Sequence, residues 1–146
     1  MSDNNAKTWI TTLCIFSLVA TGLTIVYDFM LLLIKSAPTD VLQQAMQQSQ
    51  ENMKQFGMNG DYEIDFGMLY RMIDNAPFHL LFNIIEIIGI LLIMKKIRNG
   101  LHFYIASQIG FAYLAFVTFQ QNATLQILFC IIWAWLYWHY TKRALS

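Results

Sequence analysis

Two carboxylates stand inside long apolar stretches of this chain. Asp28 lies in a run from Trp9 to Ile34, and Glu86 in a run from Pro77 to Met94. An ionised carboxylate in hydrocarbon is costly, which makes each a candidate for proton or ion chemistry. Neither is isolated. His79, Asn83 and Glu86 recur at steps of four and three and so share one helix face, as do Ser17, Thr21, Thr24 and Asp28 in the earlier run. If the two faces meet, Asp28, Thr24, Thr21, His79, Asn83 and Glu86 form a polar seam. With the two helices antiparallel, Asp28 falls near the level of Asn83 and above Glu86. A carboxyl held there can take or release a proton, the chemistry a proton-coupled carrier needs. The plainer role for the same groups is to tie helices together by hydrogen bonds. No inverted repeat or broken helix of the transporter kind is present in the sequence.

Other chemistries lack their residue patterns. Cys14 and Cys130 lie in apolar runs without a C-x-x-C pair and read as buried, unpaired thiols. His102 and His139 fall at similar depth and would suit paired haem ligands, but beside Arg98 and Lys142 they read as interfacial histidines. Met46, Met53, Met58, Met68 and Met72 would suit Cu(I), yet Met46 and Met53 have core-facing helical spacing, and Met commonly fills adaptable interfaces. Asp61 to Gly67 alternates acidic and apolar residues as in a calcium loop. Its glycine comes one place late, and Met72 stands where the twelfth-position Glu belongs. No Ser-His-Asp arrangement, P-loop or H-E-x-x-H motif appears. The expectation is a protein that is not an enzyme and holds neither metal nor cofactor.

The elements that must position these groups follow from composition. Of 146 residues, 57% are hydrophobic and 12% charged, about half the ~25% charge of an ordinary soluble domain. Nine Lys and Arg balance nine Asp and Glu, so no charge excess points to nucleic acid. A run of ~18 or more apolar residues crosses a ~30 Å hydrocarbon core as a helix. Four such runs occur: Trp9 to Ile34, Pro77 to Met94, Leu101 to Phe119 and Ala123 to Tyr140. They occupy more than half the chain and predict one domain over residues 1–146, an all-α membrane protein with a four-transmembrane-helix bundle. The first run exceeds the ~7–15 apolar residues of a secretory signal and reads as an uncleaved anchor.

Charge and loop length set the expected topology. Lys7, Lys95, Lys96, Arg98, Lys142 and Arg143, six of the nine cations, fall on one side in short segments, which predicts cytoplasmic N- and C-termini. Trp9, Trp135, Trp138 and Tyr140 cluster at that interface. The links Lys95 to Gly100 and Gln120 to Asn122 are too short for anything but antiparallel neighbours. Asn99-Gly100 reads as a helix stop and Thr124 as the cap of span four, which is the better use of the glycosylation pattern at Asn122 to Thr124. Gly89 and Gly110, with Ala106, Ala112 and Ala115, read as close-packing positions.

Residues 35–76 form the expected external loop with one or two short helices. Ser36 to Asp40 is a helix start, and Leu42, Met46, Ser49, Met53 and Phe56 then recur on one stripe of a Gln-rich segment. The face of Leu42, Met46, Met53 and Phe56 suits contact with the lipid bilayer, a protein partner or a second copy. Gly57 to Asp61 reads as a turn. A second short helix from about Phe66 to Ile73 should lead to Pro77 in the first turn of span two.

The stretch LLIMKKIRNG followed by LHFYIASQIG resembles a basic-Gly-x-x-x-Tyr turn leading into an A-x-Q helix, at Lys95, Lys96, Gly100, Phe103, Tyr104, Ala106 and Gln108. In this and in its layout the chain is similar to small uncharacterised four-span bacterial inner-membrane proteins. The resemblance implies a bacterial inner (plasma) membrane and carries no activity. The sequence favours a non-enzymatic membrane protein that contacts lipid or a partner through its external segment; the alternative is a small proton- or ion-coupled transporter or channel that uses Asp28 and Glu86. A contact-toxin immunity protein would share this size and topology, but no residue favours it.

Overall fold

The computed structural model describes residues 3–38, 40–41, 43–44, 47–48, 51–52 and 66–144. Four long helices account for most of them: α1 (Asp3–Lys35), α2 (Phe66–Met94), α3 (Gly100–Phe119) and α4 (Thr124–Ala144). At ~1.5 Å per residue, α3 and α4 are each about 30 Å long, and α1 and α2 exceed 40 Å. Each helix packs on its chain neighbours, and α4 returns to pack on α1, so the four close into a ring of antiparallel helices. Residues 40, 41, 43, 44, 47, 48, 51 and 52 are also helical. Leu42, Met46, Met53 and Phe56, the expected amphipathic face, lie outside the described residues.

Three helical segments are long and apolar enough to cross a membrane, Lys7–Lys35, Gly67–Met94 and Gly100–Phe119. Helix α4 has the length, but Trp135, Tyr137, Trp138, His139 and Tyr140 crowd its second half before Lys142 and Arg143, so it is less apolar than the other three.

The bundle is apolar outside and partly polar inside. Val19, Leu23, Leu33, Ile109, Tyr113, Phe116 and Leu125 are each more than 60% exposed, whereas Asp28, Asn83, Glu86, Ser107 and Gln108 are buried. Such a distribution is stable when the surrounding medium is itself apolar. Ile10, Cys14, Ile90, Ile93, Leu101, Tyr104 and Tyr137 form an apolar cluster toward the basic end of the bundle, where Lys95 to Asn99 link α2 to α3. Leu31, Ile73 and Ala76 form a second cluster at the far end. The polar layer lies between them.

Several boundaries differ from the sequence reading. Residues 66–73 are not a separate helix, and Pro77 is not in the first turn of span two; α2 runs unbroken from Phe66 with Pro77 inside it. Proline removes one intrahelical hydrogen bond, but tertiary contacts hold the turns that precede it in place. Ile73 and Ala76 pack on Leu31, Arg71 Nε donates to the Thr118 carbonyl at 2.9 Å, and Asn75 Nδ2 donates to Thr118 Oγ1 at 3.0 Å. Lys35 and Asp74 add an exposed ion pair at 3.2 Å.

Asn99-Gly100 does not stop α2 either. That helix ends at Met94 in a double hydrogen bond, Lys96 N–H to the Ile93 carbonyl and Ile97 N–H to the Leu92 carbonyl, both 2.8 Å. Lys96 takes the left-handed conformation, φ 61°, that this closure requires. Asn99 stands instead at the N-cap of α3 and makes no side-chain cap bond. Between α3 and α4, Gln120 turns the chain with φ 50°, and a 3₁₀ turn over Gln120–Ala123 leads into α4. Thr124 is already helical, so it does not act as the cap.

Glycines set the closest approach. A Cβ on Gly89 would lie 2.7 Å from the Tyr104 backbone nitrogen, and one on Gly100 would lie 2.6 Å from the Gly89 carbonyl oxygen. Helices α2 and α3 therefore touch backbone to backbone. Gly110 gives way to the Phe82 ring in the same manner. Ala115 is buried and Ala112 half-buried, but Ala106 faces outward and does no close packing.

Candidate functional site

Helix α1 contributes Ser17, Thr21, Thr24 and Asp28 to the polar layer, and α2 contributes His79, Asn83 and Glu86. Because the helices are antiparallel, the two series meet in reverse order. Asp28 Oδ2 lies 2.9 Å from His79 Nδ1 and accepts from Asn83 Nδ2 at 2.7 Å. With Asp28 ionised, His79 carries its proton on Nδ1 and donates it. Thr24 Oγ1 donates to Asn83 Oδ1 at 3.1 Å, and Thr21 Oγ1 donates to Glu86 Oε2 at 3.0 Å. All six seam residues named from the sequence are thus hydrogen-bonded across the α1–α2 contact. Asp28 is 1% and Glu86 7% exposed.

Helix α3 supplies a member that the spacing did not reveal. Gln108 Nε2 donates to Glu86 Oε1 at 3.0 Å. Its sequence signal was one amide near the middle of an apolar span, at the depth of Glu86; which way it faced depended on the rotation of α3. Tyr104 and Tyr137, stacked with ring centroids 3.8 Å apart, lie between this layer and the basic end.

The partners of Glu86 accommodate either protonation state. Thr21 has one hydroxyl hydrogen and two acceptors in reach, Glu86 Oε2 at 3.0 Å and the Ser17 carbonyl at 2.7 Å. When Glu86 is a carboxylate, Thr21 donates to it. When Glu86 is a carboxylic acid, its O–H donates to Thr21 Oγ1, and Thr21 turns its hydrogen to Ser17. Gln108 donates to the other oxygen in both cases. A single hydroxyl rotation therefore separates two fully bonded arrangements that differ by one proton.

Two cavities flank the seam. One of about 240 Å³ is lined by Thr21, Thr24, His79, Asn83, Glu86 and Gln108, with apolar walls from Phe16, Phe111 and Trp133. The other, about 180 Å³, lies toward the far end beside Asp28, Asn75, His79, Thr118 and Gln126. Both touch His79, Phe111 and Cys130. The His79 and Phe111 rings, 5.0 Å between centroids, stand at their junction. The first cavity is roomy and polar enough to hold water in contact with both Glu86 and His79.

Among the described residues no group of three or more His, Cys, Asp or Glu could hold a metal ion. Cys14 and Cys130 are free thiols. His139 stacks on Trp135 and meets the edge of Tyr140, while His102 lines a different pocket near Arg98. No protein family, curated protein or solved structure matches the chain.

Proposed function

We propose that the chain is a four-span, multi-pass membrane protein whose central seam, with Asp28 and Glu86, exchanges a proton at Glu86, as a small proton-coupled transporter or channel does. One observation carries this reading. Glu86, buried between three helices, has partners that suit both its acid and its carboxylate form, and it faces a cavity also lined by His79. A carboxylate kept only to tie helices together needs just one of those arrangements. Proton movement from Glu86 toward Asp28 would use water in that cavity, because the Asn83 amide between them does not relay a proton.

Membrane insertion of α4, with both termini and the 95–99 turn on the cytoplasmic side, is part of the proposal. It is supported by the outward Leu125, Leu128, Phe129, Ile131 and Ile132 of α4 and by the gathering of cations at one end of the bundle. A bacterial inner membrane is in keeping with the resemblance around Lys95 to Gln108. In this reading the protein is not an enzyme, and the segment from 36 to 65 is external, where it meets lipid, a protein partner or a second copy.

The test uses purified protein in sealed vesicles loaded with a pH-sensitive dye, with an imposed pH gradient. Wild type should dissipate the gradient faster than empty vesicles. Glu86→Gln, which retains hydrogen bonds to Thr21 and Gln108 but cannot ionise, should insert and fold normally and lose the flux. Infrared difference spectra should show a pH-dependent carboxyl band that disappears in the same variant. Unchanged flux in Glu86→Gln would exclude the mechanism.

A further inference from the structure

A pocket of about 470 Å³ opens at the basic end of the bundle, between the start of α3 and the end of α4. Arg98, Asn99 and His102 line one side, and Trp138, Thr141 and Lys142 the other. Residues 95–102 and 138–144 contain no Asp or Glu, and among the described residues neither Arg98 nor Lys142 is paired with a carboxylate. Two cations on one pocket repel each other unless an anion sits between them.

Thr141 is the independent observation. It is 1% exposed, lines this pocket, and its Oγ1 has no hydrogen-bond partner. Threonines elsewhere in the bundle satisfy themselves on the carbonyl one turn back, as Thr11 does on Lys7, Thr12 on Thr8 and Thr21 on Ser17. Thr141 does not, and a buried hydroxyl is costly to leave unbonded. Its hydroxyl is therefore available to a ligand in the pocket.

We propose that this pocket binds a phosphate-bearing anion. Arg98 and Lys142 neutralise its charge, and the Thr141 hydroxyl and a His102 ring N–H donate to its oxygens. Leu101 and the half-exposed Trp138 add an apolar wall beside the cations, which suits a phosphate attached to glycerol and acyl chains, the headgroup of an anionic phospholipid. The lipid source rests on the membrane reading above; the anion site itself does not.

The test measures binding to the purified full-length chain in neutral detergent by native mass spectrometry. The probes are dioleoyl phosphatidylglycerol, dioleoyl phosphatidylcholine and inorganic phosphate. Phosphatidylglycerol should bind about tenfold more tightly than phosphatidylcholine, and Arg98→Gln or Lys142→Gln should each remove about that factor. Thr141→Val, nearly isosteric, should weaken binding severalfold. Lys95→Gln removes the same charge at the same end, outside the pocket, and should leave affinity unchanged. Each variant is checked for wild-type helicity. Phosphate binding with the same variant pattern and no lipid preference supports the site with a soluble phosphate as its source. Equal retention of both lipids without phosphate binding overturns the proposal, as does a loss in Lys95→Gln equal to that in Arg98→Gln. The proton flux of Glu86 reads a different region, so failure of one proposal is distinguishable from failure of the other.

Discussion

Asn83 donates to Asp28 through Nδ2 and accepts from Thr24 through Oδ1. No apolar residue serves either bond, and removal leaves a buried carboxylate short of a donor. Asn83→Leu is therefore expected to destabilise the bundle by about 1–3 kcal/mol, the cost of unsatisfied buried polar groups. Thr24 is itself exposed and can be lost more cheaply; Thr24→Val should cost about 0.6 kcal/mol, typical of an interhelical hydrogen bond in a membrane. Reversible unfolding in mixed detergent micelles measures both, and equal costs would show that Asn83 does not link the two bonds. At this scale the seam was legible because a 3.6-residue period fixes which side chains of one helix share a face. Gln108 was not, since nothing in its own spacing shows that α3 turns this amide toward Glu86.

Glycine positions test the helix pairs. At Gly89 a methyl would meet the Tyr104 backbone nitrogen at 2.7 Å, and a backbone at a tight crossing cannot move aside alone. Gly89→Ala should therefore cost about 1–3 kcal/mol as overpacking. Gly22, also mid-helix, has nothing within 4 Å of the same methyl; there Gly22→Ala should stabilise by about 1 kcal/mol through helix propensity. Opposite signs in the same unfolding assay are the expected result, and a loss at both positions would argue against the α2–α3 backbone contact. Lys96, which closes α2 at φ 61°, offers a third case. Lys96→Gly should raise stability by about 1 kcal/mol, because the left-handed conformation penalises a Cβ. These turns were partly legible. The sequence placed a break between Met94 and Leu101 correctly but put the stop at Asn99-Gly100, because a lysine in the left-handed position carries no compositional sign.

The closed antiparallel ring makes a topological prediction for the whole molecule. If α4 is inserted beside α1 and α3, residues near position 97 and near position 143 lie on one side of the membrane and the 36–65 segment on the other. Cysteines introduced singly at Ile97, Ala144 and Ser36, with Cys14 and Cys130 replaced by alanine, should react with an impermeant thiol reagent from one, the same, and the opposite side respectively. Labelling of position 144 from the side of position 36 would place α4 on the membrane surface. Helix α4 stacks Trp133 on Phe16 and Tyr140 on Trp9, in the N-terminal half of α1.

The amino-acid sequence by itself determined that the chain is helical and largely apolar, where its long helices fall, and which carboxylates sit inside them. Helical period and composition are local properties, readable without knowing what any helix touches. Only the tertiary structure decided the rest. Residues 66–76 joined α2 across Pro77 because Leu31 and Thr118 hold the turns that precede it. Glu86 acquired Gln108 because the glycine crossing at Gly89 and Gly100 brings α3 close enough to reach it. Thr141 became a buried hydroxyl without a partner in a cationic pocket because α4 packs back beside the turn at Arg98. Each outcome depends on a contact between segments distant in sequence, whose energy no single helix carries.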